Sequence, residues 1–82
     1  MADIERVRKE IIAIVASIAD LPVEAVGETA TLESLGIDSL NGLRIVAAME
    51  KRYGIDIPDE AIGSIRSMPD IFALAAARLD PD

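Results

Sequence analysis

Ile4, Val7, Ile11, Ile14, Val15 and Ile18 recur at steps of three and four residues, a spacing that collects them on one face of a helix and on no face of a strand. The pattern predicts a first helix over about residues 3–19 with Asp3 as its N-cap. Asp20-Leu21-Pro22 ends it, because the residue before a proline is pushed out of the helical region. A second periodic segment starts at Asp38 or Ser39 and runs to Tyr53, where Gly54 supplies a stop. It carries two apolar stripes: Leu40, Leu43 and Ala47 on one side, Ile45, Val46, Met49 and Tyr53 on the other. Two stripes on one short helix imply that one of them lies outside the core. Gly42, inside this helix, reads more readily as a tolerated defect than as a point of close approach.

Between these helices, residues 20–37 lack sustained periodicity. A connection this long in a small domain is uncommon and usually functional, and Val23, Val26, Leu32, Leu35 and Ile37 are the expected anchors into the core. Ile55-Asp56-Ile57-Pro58 alternates, but four residues are too few for a sheet. Pro58 opens a short helix over 59–64. Ser67-Met68-Pro69-Asp70 has the signature of a helix start, with serine at the cap, proline in the first turn and an acid three residues beyond the cap. The last helix spans about 68–79 and buries Ile71, Phe72, Leu74, Ala75 and Leu79; Asp80-Pro81-Asp82 is read as a frayed tail. The sum is an all-α four-helix bundle with a long first loop and a short third helix, in one domain of 82 residues. Ala13, Ala16, Ala48 and Ala75 are expected as a small-residue core, which suits close packing and an interior able to open equally well.

Composition narrows the function. Eight basic residues face 15 acidic ones, a net charge of −7, so nucleic acid and anionic membranes are disfavoured and a basic protein surface is the natural partner. The chain has no Cys and no His, which removes disulfides, zinc clusters, thiol nucleophiles and Ser-His or Cys-His hydrolysis. No catalytic residue and no metal site is expected. The apolar run Ile11–Ala19, broken only by Ser17 and ending in the cleavage-like Ser17-Ile18-Ala19, resembles a signal segment, but acids offset the basic residues that precede it, and it is well short of the roughly 20 residues that span a bilayer. It reads as a buried helix of a cytoplasmic protein.

Leu35-Gly36-Ile37-Asp38-Ser39-Leu40 strongly resembles the attachment motif of acyl carrier proteins. Glu50 and Tyr53-Gly54 are similar to the end of that family's second helix, Ile57-Pro58-Asp59-Glu60-Ala61 to the start of its third, and Ile65 with Ser67-Met68 to the approach to its fourth. The resemblance covers nearly the whole chain and is densest from Leu32 to Met68. It implies that Ser39 receives 4′-phosphopantetheine from coenzyme A, that Asp38 is recognised by the phosphopantetheinyl transferase as well as capping its helix, and that the chain is a monomer that holds acyl thioesters without catalysing. An anion on Ser39 suits the positive end of a helix. The missing cysteines fit the same picture, since the arm then bears the only thiol.

One departure bears on partners. Fatty-acid carriers have a strongly acidic second helix, whereas residues 38–54 here hold two carboxylates, Asp38 and Glu50, against three cations, Arg44, Lys51 and Arg52. The expected docking surface is Leu40, Leu43 and Ala47 with Arg44 adding selectivity. The expected partners are acyl-loading and acyl-processing enzymes, such as a ketosynthase or acyltransferase, of polyketide or related specialised biosynthesis. A fatty-acid synthase carrier and a peptidyl carrier are the near alternatives, although the peptidyl type usually shows Gly-Gly and often His before the serine. An unmodified helical interaction module is the alternative of another class. The calcium-loop spacing of acids is absent. Met1-Ala2 and the acidic tail favour a discrete protein over an excised synthase domain.

Overall fold

The computed structural model describes residues 4–79 and orders them as α1 (Ile4–Ala19), a single 3₁₀ turn (Val23–Ala25), α2 (Ser39–Tyr53), α3 (Asp59–Ile62) and α4 (Met68–Arg78). The predicted N-cap Asp3 and the tail Asp80–Asp82 lie outside the described residues. The periodic aliphatics of α1 behave as their spacing requires: Val7, Ile11 and Val15 are buried, and Ile14 and Ile18 pack half-buried against the same core. Ile4 departs from the pattern and is exposed.

Helices α1 and α2 each end on a left-handed residue. Asp20 adopts φ 58°, and the amides of Leu21 and Asp20 donate back to the carbonyls of Ala16 and Ser17. This is the double closure of a helix C-terminus, achieved with an aspartate in place of the usual glycine. The proline at 22 therefore follows the stop and does not itself make it. At the end of α2, Gly54 is the cap at φ 64° and donates its amide to the Glu50 carbonyl.

Residues 20–37 form a chain of turns fixed at both ends. Val26 and Ile37 are buried, and Leu32 and Leu35 are half-buried against the core. Val23 corrects the expectation: it is exposed, since it belongs to the 3₁₀ turn, whose side chains all face away from the core. The loop is stitched to the approach to α4 by the Leu32 amide donating to the Arg66 carbonyl and the Met68 amide donating to the Ala30 carbonyl, each at 2.9 Å, around an antiparallel bridge of Thr31 with Ser67.

The short helix is shorter than predicted. Gly63 follows Ile62 as its cap, and the amides of Ser64 and Ile65 reach back only three residues, to Ala61 and Ile62; the segment tightens and ends there. Asp70 accepts from the amides of both Arg66 and Ser67, which secures the start of α4. Its Ile71 and Ala75 are buried, while Phe72, Leu74 and Leu79 are half-buried. Of the four alanines expected in the core, Ala16 and Ala75 are buried and Ala48 is half-buried, whereas Ala13 corrects the expectation and is exposed.

Two carboxylates whose contacts no periodicity announces lock α1, α2 and the following link together. Glu10 accepts from the Tyr53 hydroxyl at 2.9 Å and pairs with Arg52 at 3.1 Å. Glu50 accepts from the Ile57 amide at 2.9 Å, which lets buried Ile57 enter the core without an orphaned donor.

Candidate functional site

The start of α2 is built residue by residue from the motif. Gly36 turns at φ 72°, a conformation that costs a glycine little and other residues roughly 1–2 kcal/mol. Ile37 then drops into the core and donates its amide to the Leu32 carbonyl at 2.9 Å. Asp38 takes an extended backbone, and its Oδ1 accepts from the Asn41 amide at 2.8 Å, as an N-cap does. Ser39 is therefore the first helical residue, exposed, and held between an anchored isoleucine and a capped turn. Its hydroxyl makes no hydrogen bond to any described residue.

Ser39 stands on the rim of a cleft of about 840 Å³ between α2, the end of the long loop and α3. The floor is apolar: Ile37, Ile45, Val46, Ile62, Ile65 and Ile71 line it, and Gly42 and Leu43 lie along its α2 side. The rim carries Glu33, Asp38 and Arg66. A flexible substituent on Ser39 has an apolar recess beside it, and the exposed hydroxyl has room for a phosphate-sized group. Sequence reasoning missed Ile62 and Arg66 as parts of this site. Ile62 and Ile65, three residues apart, carried a faint signal, but a helix this short has too few residues for a period to stand out.

The two stripes of α2 separate cleanly. Ile45, Val46 and Met49 are buried, whereas Leu40 and Leu43 remain 59% and 51% exposed. At about 100° per residue, Leu40, Leu43, Arg44, Ala47 and Lys51 fall within an arc of about 100° opposite Met49, and all five are exposed. No carboxylate shares that arc. The remaining charges of the helix are used internally, Glu50 on the Ile57 amide and Arg52 on Glu10. The structure thus places Ser39 at the head of the helix, Asp38 under it as a cap, and Leu40, Leu43, Arg44 and Ala47 together on its outer face. Lys51 joins them, a residue the sequence reading counted only as charge. Among the described residues no group of three or more His, Cys, Asp or Glu could hold a metal ion, and no helix is long and apolar enough to cross a membrane.

Comparison with known proteins gives a consistent result. Residues 9–75 match the family described as "Phosphopantetheine attachment site". An acyl carrier protein of Rickettsia bellii is 28% identical over 72 residues, which cover 87% of this chain and 84% of that protein. A 5-methylorsellinic acid synthase of Aspergillus terreus is 31% identical over 75 residues; the match covers 92% of this chain but spans only 3% of the synthase. The crystal structure of an acyl carrier protein from Thermotoga maritima superposes with a TM-score of 0.80 at 24% identity, covering 92% of this chain and 88% of that one.

Proposed function

This chain belongs to the phosphopantetheine attachment-site family of acyl carrier proteins, and we propose that Ser39 is its attachment residue. The observation that carries this reading is the exposed, unbonded Ser39 hydroxyl at the first helical position of α2, on the rim of an apolar cleft. In the modification step the Ser39 Oγ attacks the pantetheine-side phosphorus of the coenzyme A diphosphate. A P–O bond forms, the diphosphate P–O bond breaks, adenosine 3′,5′-bisphosphate leaves, and the serine proton passes to the base of the transferase. The chain's part is to present the oxygen. The Asp38 cap fixes the first turn, and the Asp38 oxygen not used by the Asn41 amide remains available for recognition by the transferase.

When attached, the arm supplies a thiol that holds an acyl group as a thioester. The chain then acts as a monomeric, cytoplasmic carrier domain over residues 1–82. It raises the local concentration of cargo at its partner enzymes and catalyses nothing itself. Leu40, Leu43 and Ala47 provide the apolar part of the docking face, and Arg44 provides its charge.

The partners in this reading are a phosphopantetheinyl transferase and the ketosynthase or acyltransferase of a polyketide or related specialised pathway. The carboxylate-free outer face of α2 supports a pathway separate from fatty-acid synthesis, because charge complementarity sets specificity between similar partners. The similarity to a segment of a 5-methylorsellinic acid synthase supports the same choice.

The test is intact mass after incubation with coenzyme A, Mg²⁺ and a promiscuous phosphopantetheinyl transferase. Wild type gains one phosphopantetheine and Ser39→Ala gains none. A folded wild-type protein that gains nothing, beside a working control carrier, overturns the assignment and leaves an unmodified interaction module exposing Leu40 and Leu43.

A further inference from the structure

The Ser39 cleft has an uneven rim. Two carboxylates stand on it, Glu33 and Asp38, and Arg66 is the only cation among its lining residues. The main chain of Arg66 is fixed on both sides. Its amide donates to Asp70 Oδ2 and its carbonyl accepts from the Leu32 amide, each at 2.9 Å. The one carboxylate bonded to Arg66 is thus engaged by backbone amides, those of Arg66 and Ser67. The exposed guanidinium makes no hydrogen bond or ion pair with any described residue. In a chain of net charge −7, an arginine that lines the same cleft as Ser39 has a fixed base and a planar donor fork that pairs with no carboxylate among the described residues.

We propose that Arg66 binds an anionic oxygen group delivered into this cleft by the arm, either the phosphodiester next to Ser39 or a carboxylate on the acyl cargo. The inference rests on the Ser39 assignment. Coulomb repulsion from Glu33, Asp38 and the net negative chain opposes an anion at this rim, and Arg66 is the lining residue that offsets it. Bidentate pairing is directional, so Arg66 also holds the arm over the apolar floor in place of leaving it loose in solvent.

The experiment loads wild type, Arg66→Gln, Arg66→Lys and the charge-matched control Lys9→Gln by transferase with coenzyme A, butyryl-coenzyme A or succinyl-coenzyme A. Intact mass is checked first. A chain that accepts no arm fails on the Ser39 assignment, and that failure is visible before Arg66 is tested. For loaded chains the readout is the Tm of each modified protein minus that of its own unmodified form. Arg66→Gln removes only an exposed side chain that has no polar partner among the described residues, so its unmodified form folds as wild type does.

Wild type and Lys9→Gln are expected to gain about 2–5 °C on modification, with the gain shrinking in 1 M salt, where charges are screened within about 3 Å. Arg66→Gln loses the gain and Arg66→Lys keeps part of it. A gain with all three donors assigns the phosphodiester; a gain confined to the succinyl arm assigns the cargo carboxylate. Equal gains in wild type and Arg66→Gln, no gain in wild type with any donor, or an equal loss in Lys9→Gln overturns the proposal.

Discussion

Tyr53, in the last turn of α2, donates its hydroxyl to Glu10 in the middle of α1 at 2.9 Å, across 43 residues of sequence. The hydrogen bonds from Arg52 and Tyr53 hold the Glu10 carboxyl below its ordinary 4.5. Burial and the bond to Glu10 push the Tyr53 hydroxyl up to about 12. Each shift has a consequence for stability. Glu10 takes up protons less readily folded than unfolded, so its contribution is present above pH 4.5 and is lost as the pH falls through the lowered value. Tyr53 keeps its proton more readily folded, so its contribution is complete below pH 10.0 and is lost as the pH rises towards about 12. Tyr53→Phe removes a hydrogen bond to a charged acceptor at a partly exposed site and is expected to cost about 1 kcal/mol at neutral pH. Urea melts from pH 3 to 11 check both: the variant should show a flatter decline at the alkaline end. An unchanged alkaline limb would show that the contact does not hold the helices together in solution.

The glycines at 42 and 54 share a helix and should respond in opposite directions. A Cβ at Gly42 meets no atom within 4 Å, whereas Gly54 needs φ 64°. Gly42→Ala is expected to stabilise by about 0.5–1 kcal/mol, the usual gain for alanine in a helix interior. Gly54→Ala is expected to cost about 1 kcal/mol, since a side chain disfavours the left-handed region. Thermal melts of the two variants check the signs. A stability loss in Gly42→Ala would mean that close packing, and not tolerance, keeps the glycine there.

Asp38 has a structural task that is separable from any recognition role. Asp38→Ala loses the bond to the Asn41 amide and should cost about 1 kcal/mol of stability. Asp38→Asn keeps a capping oxygen and should restore most of it. If transferase turnover is impaired in both variants while stability recovers only in Asp38→Asn, the carboxylate charge is read by the transferase. If turnover recovers along with stability, the cap accounts for the aspartate.

The four helices, and the exposed position of Ser39 at the head of α2, were legible because they rest on local signals. Those signals are the three- and four-residue spacing in α1, the Gly-Ile-Asp-Ser start of α2, the Gly54 stop and the Ser-Met-Pro-Asp start of α4. The splitting of α2 into a buried Ile45/Met49 side and an exposed Leu40/Leu43 side followed from having two stripes on one helix. The features that stayed hidden depend on residues far apart in sequence. The Thr31 bridge to Ser67 ties the loop to α4, Arg66 comes to share a cleft with Ser39, and Glu10 meets Arg52 and Tyr53. Val23 was misplaced for a related reason: an aliphatic residue in an aperiodic stretch has no face to declare, and the 3₁₀ turn left it exposed.

The outer face of α2 gives the sharpest prediction about partners. Leu43 is 51% exposed and shares its arc with Arg44 and Lys51, whose side chains form no ion pair among the described residues. Leu43→Ala, Arg44→Glu and Lys51→Glu should leave Tm within a few degrees of wild type, since surface changes of this kind stay within about 0.5 kcal/mol. Turnover of the loaded carrier by the ketosynthase or acyltransferase proposed as its partner should nevertheless fall in kcat/KM. About tenfold is expected for Leu43→Ala or Arg44→Glu, the equivalent of roughly 1.4 kcal/mol of lost docking, and less for Lys51→Glu at the far end of the stripe. A fatty-acid synthase enzyme whose docking patch is basic supplies the contrast, because charge reversal removes a repulsion there. Arg44→Glu should be neutral or improved with that enzyme while it is impaired with the cognate one. Equal loss with both enzymes would place Arg44 in a general requirement for docking and remove the ground for a specialised interface. No loss with either would move the docking surface off this face of α2 altogether.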